Sequence, residues 1–235
     1  MKFYYLDTYE LSPYCNLATE YSLMRNELDD AVVLFLWQNQ DTIVVGRNQD
    51  VYSECKVDEF IEDGGRIARR LSGGGAVYHD RGNLNYSIIC HTELEQYCKY
   101  YELLKNAFTL FNIDATYNDR NDLTVEGRKV SGNAVYKSGD VVCQHGTILV
   151  ASDIEKMTYY LTPDISKLNR NHVQSVKSRV ENINEFNPNI GVNEVKDALI
   201  RTVDAEFLTA NPDNKMIKEM TNLFKSKKWI FGGKR

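Results

Sequence analysis

The stretch "DLTVEGRKVSGNAVYKSGDVVCQHGTILV", residues 122–150, carries turn signals at Glu126-Gly127 and Ser138-Gly139 between runs rich in valine, threonine and isoleucine. It reads as three consecutive strands joined by turns. The same signature recurs upstream, where "AVVLFLWQ" (31–38), "DTIVVGRN" (41–48), "GAVYHD" (75–80) and "LNYSIIC" (84–90) each read as a strand. Helical spacing places Leu17, Tyr21, Met24 and Leu28 on one face of "NLATEYSLMRNEL" (16–28), with Asn16 as its N-cap. A short helix over 57–65 and an amphipathic one over 98–113 follow. Downstream, 153–161, 192–208 and 213–226 all read as helices. Strands first and helices late predict an α+β fold, a mainly antiparallel sheet flanked by helices.

A chain of 235 residues is long enough for a substantial core. The net charge of −5 argues against a nucleic-acid partner, which would need a basic face, but is compatible with a locally basic pocket. No apolar run approaches the roughly 20 residues that cross a bilayer, so no membrane partner is expected. The first residues lack the basic-then-apolar order of a secretory signal. Cys15, Cys55, Cys90, Cys98 and Cys143 form no CxxC pair, and their number is odd. Neither a disulfide framework nor a zinc site is expected, and a reducing cytoplasm fits.

The glycines of "RRLSGGGAVYHDRGNLNYSII" (69–89) have two readings. Glycine loses more freedom on folding than any other residue, so three in a row mark either a tight turn or a backbone that a ligand approaches closely. Arg69, Arg70 and the His79-Asp80 pair favour the second, with an anion as the visitor. Neither GxxxxGK[ST] nor GxGxxG is present, so any nucleotide is held by other means. In "NDLTVEGRKVSGNA" (121–134), Lys129, Ser131 and Asn133 recur at period two and are expected on one strand face. Cys143, His145 and Thr147 share a face by the same argument. Cys143 is then a small core residue or, with His145 beside it, a nucleophile.

Together and in this order, "RRLSGGGAVYHDRGNLNYSI", "NDLTVEGRKVSGNA", "QHGTILV" and "SVKSRVENI" (175–183) resemble lipoate–protein ligases, from about residue 3 to the last residues. The resemblance implies one catalytic domain over 1–235, related to biotin–protein ligases and octanoyltransferases, without the C-terminal accessory domain of many members. It implies ATP and Mg²⁺ as cofactors and lipoate as substrate, joined to give lipoyl-AMP and pyrophosphate. The lipoyl group then passes to a lysine of an apo lipoyl domain of a 2-oxoacid dehydrogenase or of the glycine-cleavage H protein, with a separate accessory-domain protein as a further partner. Carried over, Lys129 is catalytic and bridges the lipoyl carboxyl and the α-phosphate, where a cation must neutralise two anions brought together. Arg70, Ser72, Gly73, Gly74, Gly75, Ala76, Val77, Tyr78, Asp122 and Ser131 would contact ATP or lipoyl-AMP. Asp122 would also meet the metal. His79, Gly132, Asn133 and His145 would belong to the substrate pocket. The rival on the same fold is a lipoyl or octanoyl transferase that uses a cysteine thiol and no ATP. The segment where that cysteine is expected, "YNDRNDLTV" (117–125), holds none, which leaves Cys143. A second rival, a non-enzymatic lipoate- or biotin-binding regulator, is disfavoured by the intact Lys129 and glycine motifs.

Overall fold

A computed structural model describes residues 1–26, 30–118, 122–161, 180–209 and 212–232. Among these, the large sheet comprises β1 (Lys2–Asp7), β2 (Ala31–Trp37), β6 (Asn83–His91), β7 (Ala115–Tyr117), β8 (Asp122–Val125), β9 (Arg128–Ser138), β10 (Val141–Leu149) and β11 (Glu206–Phe207). Its strand order is β11-β1-β2-β6-β10-β9-β8-β7. Pairing is antiparallel from β2 to β7 and parallel only where β1 meets β2 and β11. The turns expected at 126–127 and 139 are left-handed backbone, with φ of 50° at Glu126, 76° at Gly127 and 63° at Gly139. A smaller sheet holds β3 (Thr42–Val45), β4 (Arg66–Arg69) and β5 (Ala76–His79) in the order β4-β3-β5.

β2 is apolar at every position, so it must be covered on both faces. Val32, Leu34 and Leu36 join Leu84, Tyr86 and Ile88 of β6 on one face. There α4 (Tyr100–Thr109) and α6 (Val192–Thr202) supply Leu103, Leu104, Phe108, Val195 and Leu199. Val33, Phe35 and Trp37 point the other way, toward α1 (Pro13–Leu23), the inner face of the small sheet and α7 (Asn214–Lys225). The outer face of the small sheet is sealed by α2 (Val51–Glu54), α3 (Val57–Glu62), α5 (Ile154–Tyr160) and α8 (Lys227–Phe231). No helix among the described residues is long and apolar enough to cross a membrane.

Two helix expectations are corrected. α1 starts at Pro13, whose fixed φ and missing N–H suit a first helical position, and Ser12 is the N-cap. Asn16 instead lies inside the helix and donates to the carbonyls of Glu10 (2.9 Å) and Gln38 (2.8 Å). The far end of that expected helix, Leu28, lies outside the described residues. The helix expected over 192–208 stops at Thr202, because Asp204 turns left-handed (φ 50°) and the chain returns as β11.

Candidate active site

One register row crosses five strands. Trp37 pairs with Asn85, Asn85 with Thr147, Thr147 with Gly132, and Gly132 with Asp122. Directly paired residues share a sheet face, so these five form the floor of a cleft about 19 Å long at ordinary strand spacing. A bulge then places Lys129 opposite Thr124, on the same face as Asp122 and Gly132. The expected common face of Lys129, Ser131 and Asn133 is thereby overturned. The additional residue in β9 resets the period-two alternation, so Ser131 pairs with Leu123 and Ile148 on the α4 side. Asn133 lies there as well, accepting a hydrogen bond from the Tyr86 hydroxyl across Gly146. Gly132 leaves the floor bare, and a Cβ there would sit 2.9 Å from the Lys129 ammonium. That ammonium is 2.7 Å from the Asp122 carboxylate.

Two cavities meet at this pair. The larger, about 570 Å³, runs along β5 toward Glu54 and Met157. The smaller, about 330 Å³, runs toward Leu17, Trp37, Val44 and His79. Gly75, Ala76, Val77, Asp122, Lys129, Gly132 and Thr147 line both. β5 is an edge strand among the described residues: one side of its backbone pairs with β3, and the other faces the larger cavity, where the Ala76 N–H donates to Glu54 Oε2 at 3.2 Å. A groove of about 720 Å³ lined by Tyr100, Tyr101, Tyr117 and Gln144 lies on the α4 side and touches neither Lys129 nor the glycines.

The arginines do something other than present a free fork. Arg69 donates to the carbonyls of Trp229, Ile230, Gly46, Arg47 and Gln49 at 2.8–3.1 Å, tying α8 and the loop after β3 to β4. Arg70 donates to Ser72 Oγ (3.0 Å) and to the carbonyls of Gly73 (2.7 Å), Gly75 (2.9 Å) and Val44 (3.1 Å). It thus moulds the glycine loop from beneath while still bordering the smaller cavity. Burial pushes its pKa down to about 10, against the pull of the Glu20 and Glu54 carboxylates, so it stays charged at neutral pH. Gly74 is left-handed (φ 94°), and a Cβ there would lie 2.7 Å from Arg70 Nη2. A Cβ on Gly46 would collide with the Gly74 carbonyl, so the two backbones touch directly.

Behind the loop, Ser72 Oγ is 2.6 Å from His145 Nε2, and His145 Nδ1 is 2.8 Å from Glu20 Oε2. Burial works to raise the Glu20 carboxyl, but the His145 charge and hydrogen bonds from His145, Ser87 and Cys143 hold it below its ordinary value. The line has the outline of a nucleophile, a base and an acid. Ser72, however, is 1% exposed and already accepts a hydrogen bond from Arg70, so it serves as a strut for the loop. Cys143 shares the face of His145 and Thr147 as expected, but it is sealed in the core. Burial, then the Glu20 charge, pushes its thiol well up, the opposite of a nucleophilic thiolate. Cys143→Ser is expected to keep most activity, since a hydroxyl can also donate to Glu20, and intact protein should resist iodoacetamide at this position. A thioester trapped on Cys143 and seen by mass spectrometry would contradict this.

His79 is fully buried against Trp37 at 6.2 Å between ring centres. Burial, helped by the charges of Arg70 and His145, pushes its pKa down to about 3. Below its ordinary 6.5 the unfolded chain takes up a proton that folded His79 refuses until about pH 3. Folding stability should therefore fall through that window by up to about 1.4 kcal/mol per pH unit from this group. Urea titrations between pH 7 and 5 would measure the slope, and His79→Gln should flatten it.

Of the residues singled out from sequence, Gly75, Ala76, Val77, Asp122, Lys129 and Gly132 come together at the junction. Arg70, Gly74, His79, Asn133 and His145 border the smaller cavity, and Tyr78 the larger. Ser72, Gly73 and Ser131 line neither. Leu17, Trp37, Asn85 and Glu54 were missed; only the strand register unites Trp37 and Asn85 with Lys129.

Residues 12–204 match the model of the lipoyl protein ligase A/B catalytic domain. Lipoate-protein ligase A of Psychrobacter cryohalolentis is 38% identical over 200 residues, which are 85% of this chain and 59% of that protein. The chain thus spans less than two thirds of this relative's length. P. falciparum LipL1, in complex with lipoate, superposes with a TM-score of 0.83 at 27% identity, covering 99% of this chain and 74% of that one. The bi-partite lipoate protein ligase of Thermoplasma acidophilum shares the fold, with a TM-score of 0.85 at 24% identity and coverage of 100% and 97%. With these matches over most of its length, the chain belongs to the lipoyl protein ligase A/B catalytic-domain family.

Proposed function

We propose that this protein is an ATP-dependent lipoate–protein ligase. The observation that carries the reading is the meeting of two cavities at Lys129 and Asp122. The acid lies in the smaller cavity with its carboxylate at Lys129, and ATP lies in the larger along β5. The carboxylate oxygen attacks the α-phosphorus, the bond to the departing pyrophosphate breaks, and lipoyl-AMP is left across the junction. Lys129 neutralises the two anions that must approach, and Asp122 holds its ammonium in place. An acceptor lysine then attacks the acyl carbon as a free amine, AMP leaves, and an amide forms.

Asp122 also fits Mg²⁺, which takes one or two carboxylates together with phosphate oxygens. When bound, the ion shields the triphosphate and its leaving group. The acceptor lysine belongs to a lipoyl domain of a 2-oxoacid dehydrogenase or to the glycine-cleavage H protein. Five free cysteines suit a reducing cytoplasm. The transferase alternative lacks support because Cys143 is sealed and protonated. The bi-partite ligase of T. acidophilum suggests a division of labour: this chain transfers lipoyl from supplied lipoyl-AMP unaided, and forms lipoyl-AMP faster once a separate accessory-domain protein closes over the site.

The test is pyrophosphate release with purified protein, ATP, Mg²⁺ and lipoate, with and without an accessory-domain protein. Release that requires both ATP and lipoate supports the reading. Acyl transfer to a lipoyl domain without ATP, from an acyl donor already bound to a carrier, would replace it with the transferase.

A further inference from the structure

Two of the five cysteines lie together on the α4 side of the large sheet, across it from Lys129 and the cleft. Cys90 Sγ, on β6, and Cys98 Sγ, between the 3-10 helix Thr92–Tyr97 and α4, are 3.2 Å apart. A disulfide bond is about 2.0 Å long, so an approach of roughly 1 Å closes the pair. The two sides differ in what they can give. Cys90 is fully buried, and its strand is paired on both edges, opposite Val32 of β2 and Val142 of β10. The 3-10 helix has no buried residue, so Cys98 is the side that moves. Gln96 and Lys99, close to Cys98 on either side, line the groove of about 720 Å³, through which a small solute reaches the rim of the pair.

The thiols also differ in acidity. A hydrogen bond from Cys98 holds the Cys90 thiol below its ordinary value, against the effect of burial. The same bond, together with burial, pushes the Cys98 thiol up. Cys90 is thereby the sulfur that is oxidised, and Cys98 the one that resolves.

We propose that Cys90 and Cys98 are a reversible redox site, closed to a disulfide by a peroxide, that fastens the 3-10 helix Thr92–Tyr97 to the sheet. The Cys90 thiolate attacks one peroxide oxygen and the O–O bond breaks. Cys90 becomes a sulfenic acid, and the released hydroxide takes up the proton that Cys90 had shed. Cys98 Sγ then attacks Cys90 Sγ, the S–S bond forms, and the hydroxyl leaves with the Cys98 proton as a second water. Two thiols are oxidised and one peroxide is reduced. In a reducing compartment such a bond is transient, as suits a sensor, and any dithiol reductant reverses it.

The experiment treats the full chain with hydrogen peroxide, removes the excess with catalase, then denatures it and alkylates it with iodoacetamide. Trypsin, cutting after Arg81 and Lys99, leaves both cysteines on the peptide 82–99, with no Lys or Arg between. That peptide should emerge two hydrogens lighter and without alkyl groups. Its halves should stay joined after further cleavage at Glu93 and Glu95. Dithiothreitol before alkylation should restore two alkyl groups. The thermal midpoint of the oxidised protein should rise by about 5 °C, and peroxide should give Cys98→Ser no such rise. A wild-type peptide that still carries both alkyl groups after peroxide, or that gains oxygens in place of the S–S bond, would overturn the proposal. That readout stands even if Cys98→Ser fails to fold. A disulfide without any rise in the midpoint would overturn the fastening of the helix.

Discussion

Lys129→Ala is expected to lower lipoyl-AMP formation by about 100-fold or more while leaving the fold intact. Its ammonium is the cation at the junction of the two cavities, and removal of one preorganised charge contact typically costs about 3 kcal/mol of transition-state stabilisation. The loss should fall mainly on kcat, since the contact matters most as charge is redistributed between carboxylate and phosphate. Stability should change by less than about 1 kcal/mol, because its partner Asp122 forms a partly exposed ion pair with it. Lys129→Arg should not rescue activity: a planar fork is wider than an ammonium and would crowd the space over Gly132. Circular dichroism together with a pyrophosphate assay would separate the two effects. Near-normal adenylation by Lys129→Ala would remove this residue from the mechanism.

Gly46→Ala is expected to damage both stability and activity, though residue 46 lines neither cavity. A methyl group there would meet the Gly74 carbonyl, a backbone atom that cannot swing aside. The Gly46 carbonyl also anchors Arg69 at 2.8 Å, and its N–H donates to the Gly75 carbonyl at 3.2 Å. Overpacking of this kind costs about 1–3 kcal/mol. A glycine loop displaced by about 1 Å would misplace the reacting groups and lower the rate roughly 100-fold. Thermal unfolding and kcat/KM would register the two losses. A variant with wild-type values for both would show that the close approach of 46 to 74 is dispensable.

The glycine motif and the strand-borne lysine were legible because their chemistry is local: a turn residue, a cation and its neighbours in sequence. The face on which Lys129 lies was not, since a bulge is a feature of two paired strands and leaves the alternation of one strand unmarked. Arg69 and Arg70 read as charge beside the glycines, but their part in holding the loop and α8 was not legible. Their carbonyl partners lie as far away as Trp229 and Ile230, and sequence proximity cannot reveal them. Trp37 and Asn85 escaped notice because only the register row joins residues 37, 85, 147, 132 and 122. The edge strands β7 and β11 have three and two residues, too few for a period to show, and β1 gains its place from parallel pairing with distant segments.

The central claim is that the acid's own carboxylate attacks the α-phosphorus of ATP at Lys129. Lipoate labelled with oxygen-18 in both carboxyl oxygens, incubated with the protein, ATP, Mg²⁺ and an apo lipoyl domain, tests it most directly. Each lipoyl amide formed should release an AMP carrying a single oxygen-18, the bridging atom of lipoyl-AMP, visible by mass spectrometry. Lipoylated domain accompanied by unlabelled AMP, or by no AMP, would contradict the account.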